Sequence, residues 1–454
     1  MARPTVTFLG GVREIGGNKI LLDDGGDRLL FDFGRSFSAR YEEFYVNFLQ
    51  PRSTSYLKDL LEFDLLPREP GLYAEELLDG TGLAYEPPRV SGIFVSHPHM
   101  DHVQYLELLD PRIPVHVGPI TRSVLEVMDT TSPGFSPGEK EWRVFRDRTP
   151  VKIGGLEVVP FPVDHSVPGA YGFLVHTSEG CVVYTGDFRQ HGPRAPETEA
   201  FLAAAARERP IALLTEGTRL GPDPRRNFSE AEVRTEVGSV LRASHNLAFT
   251  TCYPRDLDRL TSLYHAARSS GREFVVSFKS AALLTEMAAH RLPGVPVPGE
   301  SPGLAVYLRP KKTYFKWERP FLDGALDARS VQQGGAQRLL QLDLAQFPEM
   351  IDLRPARGSP FIHSMSEPFS EEDVDHDVLL HWLDHFGLGY HQLHASGHCS
   401  GRELVDLVRA MAPATVFPIH TEHPAALERA GRPTVLPDLG TSYRLGPDGA
   451  VPRD

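Results

Sequence analysis

Ser96 to His102, SHPHMDH, places three imidazoles and a carboxylate directly after the apolar run Val90-Ser-Gly-Ile-Phe-Val95. A short apolar run closed by polar residues predicts a buried strand. The fold therefore has to bring this strand end to a place that other ligands can reach. His97 and His99 are two apart in an extended loop, so both can face one cation, while Asp101 and His102 project towards a second position beside it. Imidazole and carboxylate oxygen are donors that suit zinc or manganese. The alternative, a polar loop whose histidines satisfy local backbone groups, fits a lone histidine better than this density of ligands.

The same form, an apolar run ending in a ligand, returns three times: His165 in VDHSVPGA, Asp187 in YTGDFR and His420 in FPIHTEH. Open α/β folds build their sites at the carboxyl ends of strands. We assign His97, His99 and His165 to one cation, Asp101, His102 and His420 to another, and Asp187 as a bridge between them. A bridging carboxylate sets two cations about 3.5–4 Å apart, the separation at which a hydroxide is generated and a phosphodiester clamped.

The rest of the chain supplies a frame for such a site. At 454 residues, two or three domains with an ample core are expected. Thr5 to Leu9, Lys19 to Leu22 and Leu29 to Phe31 predict a β-meander, with GGVREIGG as a turn rather than a dinucleotide loop. Residues 35 to 89 form an aromatic-rich insertion expected to pack on the domain or cover the site. After Glu216 a βαβ rhythm begins, with a helix near Ser229 to Arg242, a strand at Ala248 to Cys252, a helix from Asp256 to Arg268 and a strand at Phe274 to Phe278. This predicts a small parallel-sheet domain set into the first. From about Gly387 the run-then-ligand form returns, and the first domain is expected to resume there.

Composition narrows the setting. Cys181, Cys252 and Cys399 are too few and too scattered for a disulfide framework. With no basic leader and no apolar stretch of membrane-spanning length, a cytoplasmic protein without membrane contact is expected. A net charge of −13 argues against an indiscriminate polyanion binder, so local basic clusters matter more. In Leu308 to Arg319, LRPKKTYFKWER, basic side chains alternate with Tyr314, Phe315 and Trp317, as a single strand's phosphates and base faces require; a solvated face with inward aromatics is the plainer reading. Arg219, Arg225 and Arg226 form a second basic group.

Taken in order, these motifs resemble the metallo-β-lactamase superfamily and, within it, the β-CASP nucleases of the ribonuclease J group. HxHxDH at His97 to His102, DHSVPGA around His165 and TGDFR around Asp187 carry the likeness, with TEGTR around Glu216, SGHCSG around His398 and PIHTE around His420 as the further β-CASP motifs. The resemblance implies an α/β fold, an αββα sandwich with an inserted β-CASP parallel-sheet domain, divided as residues 1–216, 217–386 and 387–454. It implies a catalytic set of His398, Glu216 and Asp101, in which His398 protonates the leaving 3′ oxygen and Glu216 holds its other ring nitrogen. A carboxylate partner raises an imidazole's pKa and fixes its tautomer. Asp32 matches a supporting acid of the superfamily pattern. His394, Ser396 and Gly397 of HASGH would contact phosphate. Ser364 and Ser366 of HSMSEP would hold a nucleotide phosphate, although this loop departs from the glycine-containing family form and a turn-forming role competes.

The resemblance points to a two-metal ribonuclease, holding two divalent ions, Zn2+ first and Mn2+ second. It would cleave single-stranded RNA to leave a 5′ phosphate, as a 5′–3′ exonuclease, an endonuclease or both. A β-CASP DNA nuclease is the alternative, but RNA-processing members carry histidine at the His420 position where the DNA-repair branch is aliphatic. A small-ester hydrolase has no need of the inserted domain, and a non-catalytic scaffold would have lost ligands. From the short stretch past His420, the C-terminal domain that ribonuclease J proteins use to dimerise is expected to be missing; a homo-oligomer is compatible with the rest.

Overall fold

The computed structural model describes residues 3–37, 39–46, 48–222, 226–366 and 374–453. Two mixed sheets lie face to face. The first holds eight strands in the order Val451–Pro452, Ser442–Arg444, Thr5–Gly10, Lys19–Asp24, Asp27–Phe31, Gly92–Phe94, Val115–Val117 and Trp142–Val144. The second holds six, in the order Val416–Ile419, Ala212–Glu216, Gly180–Tyr184, Ala170–Thr177, Leu156–Val163 and Val151–Ile153. Strand alternation explains the layering. Ile20, Leu22, Leu29 and Phe31 face Val158, Phe173 and Val182 between the sheets. Their neighbours Leu21 and Leu30 turn outward, into the core that includes Val124, Leu125 and Met128 of the helix Pro119–Thr131. On the far side, Leu174, Val183 and Leu213 meet Phe201 and Leu404 of the helices Ala195–Glu208 and Gly401–Met411. This is the expected αββα sandwich.

A third sheet of six strands, all parallel, has the order Leu304–Val306, Glu273–Val276, Arg338–Gln341, Ala248–Thr251, Pro360–His363 and Gly389–Gln392. It comes entirely from the chain between Ala212–Glu216 and Val416–Ile419, which are adjacent and parallel in the second sheet with Glu216 opposite Ile419. The parallel sheet is thus an insertion, as expected. The helix Phe278–Ala288 fixes it to the sandwich through the helix Pro119–Thr131, helped by a 3.0 Å hydrogen bond between His290 Nε2 and Ser123 Oγ.

Two expected boundaries shift. The strand predicted to reach Phe278 stops at Val276, because the Ser277 side chain accepts from Ser280 N and starts a helix. The return to the first domain expected at 387 comes later: Gly389–Gln392 pairs with Pro360–His363 and still completes the third sheet. In the aromatic insertion, Tyr41 and Tyr45 are buried in the core and Phe37 faces the cavity described below.

Candidate active site

Every predicted cation ligand lies at the mouth between the two sandwich sheets. Each follows a strand's carboxyl end, which is how residues far apart in sequence converge. His97 Nε2 and His165 Nε2 each lie 3.1 Å from His99 Nδ1. His165 Nδ1 donates to Gly397 O at 2.6 Å, so its Nε2 presents a lone pair to the cluster. Asp101, His102, Asp187 and His420 form a second group, with His420 Nε2 at 2.9 Å from Asp101 Oδ2 and His102 Nε2 at 3.2 Å from Asp187 Oδ2. That same Asp187 oxygen is 3.7 Å from His97 Nε2, so Asp187 stands between the groups.

The electrostatics of the two groups differ. Burial holds His97 and His165 well below the usual histidine pKa and His99 down to about 4. Against burial, Asp187, Asp101 and Asp32 hold His102 well above it, and Asp187 and Asp101 bring His420 to about 9. Asp187 is held far below the usual carboxylate range, against burial, by His420 and His102. His102 Nε2 and Asp187 Oδ1 are buried without a hydrogen-bond partner among the described residues. Buried polar atoms are almost always satisfied. Two unpartnered donors beside an anionic cluster suit a divalent cation, and the residues present fit the group.

Asp32 supports this arrangement, as expected of it. Its carboxylate accepts from Ser96 N and Ser96 Oγ, both at 2.7 Å, from His102 Nδ1 at 2.8 Å and from Tyr184 Oη at 2.5 Å. Asp32 and His420 both hold left-handed backbone, with φ of 58° and 52°, a conformation that non-glycine residues keep only where the surroundings enforce it. The GGVREIGG turn contributes too. A Cβ on Gly16, at φ +78°, would lie 2.6 Å from Asp101 Cβ, so the turn can lean on that ligand only as glycine.

His398 Nδ1 is 2.9 Å from Glu216 Oε2. Thr218, which the sequence did not single out, bridges this pair to the cation groups, its Oγ1 at 2.8 Å from Glu216 Oε2 and 2.9 Å from His420 Nδ1. His398 also lies within reach of a third candidate ligand set with His165 and Asp187.

A cavity of about 510 Å³ opens over these groups. His394, Ser396, Gly397 and Ser366 line it, as predicted, together with Tyr253 and Arg255, which the sequence reading missed. Gly397 permits a close approach, but to His165: a Cβ there would sit 2.8 Å from that ring. Ser364 is not in the lining and is fully buried, with its hydroxyl donating to Leu393 O at 2.6 Å and accepting from Arg259 Nη1 at 2.8 Å. The structure corrects the expected phosphate contact there to a structural one. Glu367 and Pro368 of HSMSEP, and Arg225, lie outside the described residues. The LRPKKTYFKWER segment is apart from this cavity: Tyr314 and Trp317 pack on the core, and Lys311 pairs with Glu318.

A buried ionic network, unseen in sequence, ties these loops to the inserted sheet. Arg189, two residues past Asp187, contacts Asp164 at 3.1 Å, Asp258 at 2.8 Å and Glu230 at 3.4 Å. Arg259 contacts Glu230 at 2.9 Å and donates to Ser364 O and Ala395 O. Against burial, Arg259 and Arg189 hold the Glu230 carboxyl down to about 2.

Comparison with known proteins agrees with this architecture. Residues 70–237 match the model of the beta-lactamase superfamily domain, and residues 388–431 that of the Zn-dependent metallo-hydrolase RNA specificity domain. Residues 70–237 thus resemble the metallo-β-lactamase superfamily. Within it the likeness is to β-CASP proteins of the ribonuclease J type. Ribonuclease J of Sinorhizobium meliloti is 24% identical over 81% of this chain and 65% of its own length. Ribonuclease J of Mycolicibacterium smegmatis is 24% identical over 91% and 68%, and Ribonuclease J2 of Bacillus subtilis 22% over 92% and 69%. The chain thus spans about two thirds of the length of these relatives. A crystal structure of a protein of unknown function from Enterococcus faecalis V583 superposes with a TM-score of 0.80 at 25% identity, covering 97% of this chain and 99% of that one. Among the described residues, no helix is long and apolar enough to cross a membrane.

Proposed function

We propose that the protein is a two-cation ribonuclease acting on single-stranded RNA. The observation that carries this reading is the pairing, at one cavity, of an anionic His/Asp cluster with a separate carboxylate-held imidazole, Glu216 and His398. His97, His99 and His165 would hold one ion, Asp101, His102 and His420 the other, and Asp187 would touch both. Two divalent ions, Zn2+ or Mn2+, would supply Lewis-acid charge against a phosphate and a water of lowered pKa.

The chain's own groups do the rest. Phosphodiester cleavage expels a poor alkoxide, so a placed proton is needed at the leaving oxygen. With Nδ1 committed to Glu216, the proton that His398 can deliver sits on Nε2. Thr218 fixes the Glu216 oxygen and His420 in one network, so the proton donor and the cation end keep a constant relation. On the third-sheet side, Arg255, Tyr253 and Ser366 line the cavity with a cation, a ring and a hydroxyl, the chemistry a terminal nucleotide with a 5′ phosphate requires. His420 and the RNA specificity match favour ribose over deoxyribose.

The test is purified protein incubated with end-labelled RNA and DNA of matched sequence, with Zn2+ or Mn2+. Single-stranded RNA should be cut well ahead of DNA and of duplex, with 5′-monophosphorylated ends preferred. Efficient DNA cleavage with RNA left intact would move the protein to the DNA nuclease branch; hydrolysis of small esters alone would move it out of the nucleases.

A further inference from the structure

Beside the catalytic cavity lies a second one, of about 430 Å³, whose charged lining among the described residues consists of four arginines, Arg219, Arg402, Arg409 and Arg429, with no carboxylate among them. Such a run of one sign is unusual on a chain with net charge −13, and a concentrated positive wall draws anions. The exposed ion pairs at its rim do not cancel it. Arg409 meets Asp406 at 3.2 Å and Arg402 meets it only at 4.0 Å, both with well-exposed side chains, and pairs of that kind contribute little.

Arg219 lines both cavities. It is nearly buried and its Nη1 donates to Asn227 Oδ1 at 2.7 Å, so this guanidinium is fixed where the two cavities meet. It follows Thr218 directly, which places the arginine wall next to His398 and on the sandwich, whereas Tyr253, Arg255 and Ser366 approach the catalytic cavity from the third sheet. A strand whose end sits among those third-sheet residues has to continue elsewhere, and the arginine cavity is the adjoining space with matching charge. Arginine forks suit phosphate oxygens.

We propose that this cavity is a backbone-phosphate subsite that holds the continuing single strand of RNA one or more nucleotides from the bond that is cut. The inference rests on the ribonuclease reading. It assigns the pocket to sequence-independent phosphate binding, so it sets affinity for long chains and leaves the chemical step alone.

The test compares wild type with the double variant Arg402→Gln/Arg409→Gln, whose side chains are exposed and whose folding is checked by circular dichroism and metal content. Three substrates are used: a 5′-phosphorylated dinucleotide, a single-stranded RNA long enough to span both cavities, and DNA of the same sequence. For the long RNA the variant should show a several-fold higher KM with kcat unchanged. Its plot of log affinity against log salt should be shallower by about 0.7 for each phosphate that the variant no longer neutralises. Dinucleotide cleavage should stay within about twofold of wild type, since so short a substrate does not reach the arginine wall. An unchanged KM and salt slope for the long RNA would overturn the subsite while leaving the ribonuclease reading standing. Equal losses on dinucleotide and long RNA would also overturn it, by making the arginines part of the catalytic cavity. If wild type cuts no RNA, the ribonuclease reading fails, and the salt slope for single-stranded DNA decides the subsite by the same criterion.

Discussion

The two halves of the cation site are built on opposite electrostatic plans. Around His99, which is half-buried, the buried imidazoles of His97 and His165 meet it with all three charged forms suppressed, so lone pairs face one another across a gap. Around Asp187, carboxylates force protons onto His102 and His420. A cation at the first position would fill a space between neutral donors; at the second it would have to displace protons. Asp187, in the second group and 3.7 Å from His97 of the first, is the group we propose to link them.

The largest effect should follow Asp187→Ala, with both cations lost and turnover down by on the order of 10⁴-fold or more, the scale of losing a unit that acts together. Metal analysis alongside activity checks this; retention of one full ion per chain would show that the halves are independent. Next comes His398→Ala, which should lower turnover by about 10²–10⁴-fold, the range for a lost general acid, with metal content near wild type. Glu216→Gln should act in the same direction. Loss of an ion from His398→Ala would instead make His398 a ligand, in keeping with its closeness to His165 and Asp187.

A smaller effect is expected from Asp32→Asn, which touches His102 Nδ1 and should weaken metal affinity about 10–100-fold, as supporting partners do. The loss should fall on the carboxylate-rich half; an equal loss from both would blur the contrast between them. The gentlest test is pH. Asp187 and Asp101 bring His420 up to about 9, and burial brings His99 down to about 4. The second position binds a cation only by releasing the protons held on His420 and His102, so its affinity should rise with pH at least up to about 9, by at most about tenfold per unit for each proton released. The first position should stay flat between 4 and 9. Metal titration calorimetry in buffers of different ionisation enthalpy reads the released protons directly.

Much of this was legible in the sequence because it is local. A ligand that ends an apolar run carries its own strand with it, so His97, His165, Asp187 and His420 could be placed at strand ends before any tertiary neighbour was known. The apolar runs within Lys19 to Leu22 and Leu29 to Phe31 likewise announce strands of a meander, whereas the sandwich was implied by the family resemblance. The Arg189–Glu230–Arg259 network had no such signature. Its members come from separate segments, and burial of an arginine depends on what the other segments bring. Ser364 shows the reverse error: a serine in a loop beside a predicted site reads as a ligand-binding group, whereas the position of Arg259 turns its hydroxyl inward. Tyr253 and Arg255 follow a strand as the ligands do, but tyrosine and arginine after a strand carry no ligand chemistry to mark them.

That buried network also governs how a polymer gets in. Swinging the third sheet away from the sandwich to widen the cavity would part Arg189 from Glu230 and Asp258, and breaking a buried pair costs about 3–5 kcal/mol. On the proposed reading the slot would keep a fixed gauge, and a flexible chain would be threaded into it end-first or slipped in edgewise while a stiff double helix would be turned away at the mouth. Selection for unpaired substrate would then follow from ion pairs that lie outside the cavity.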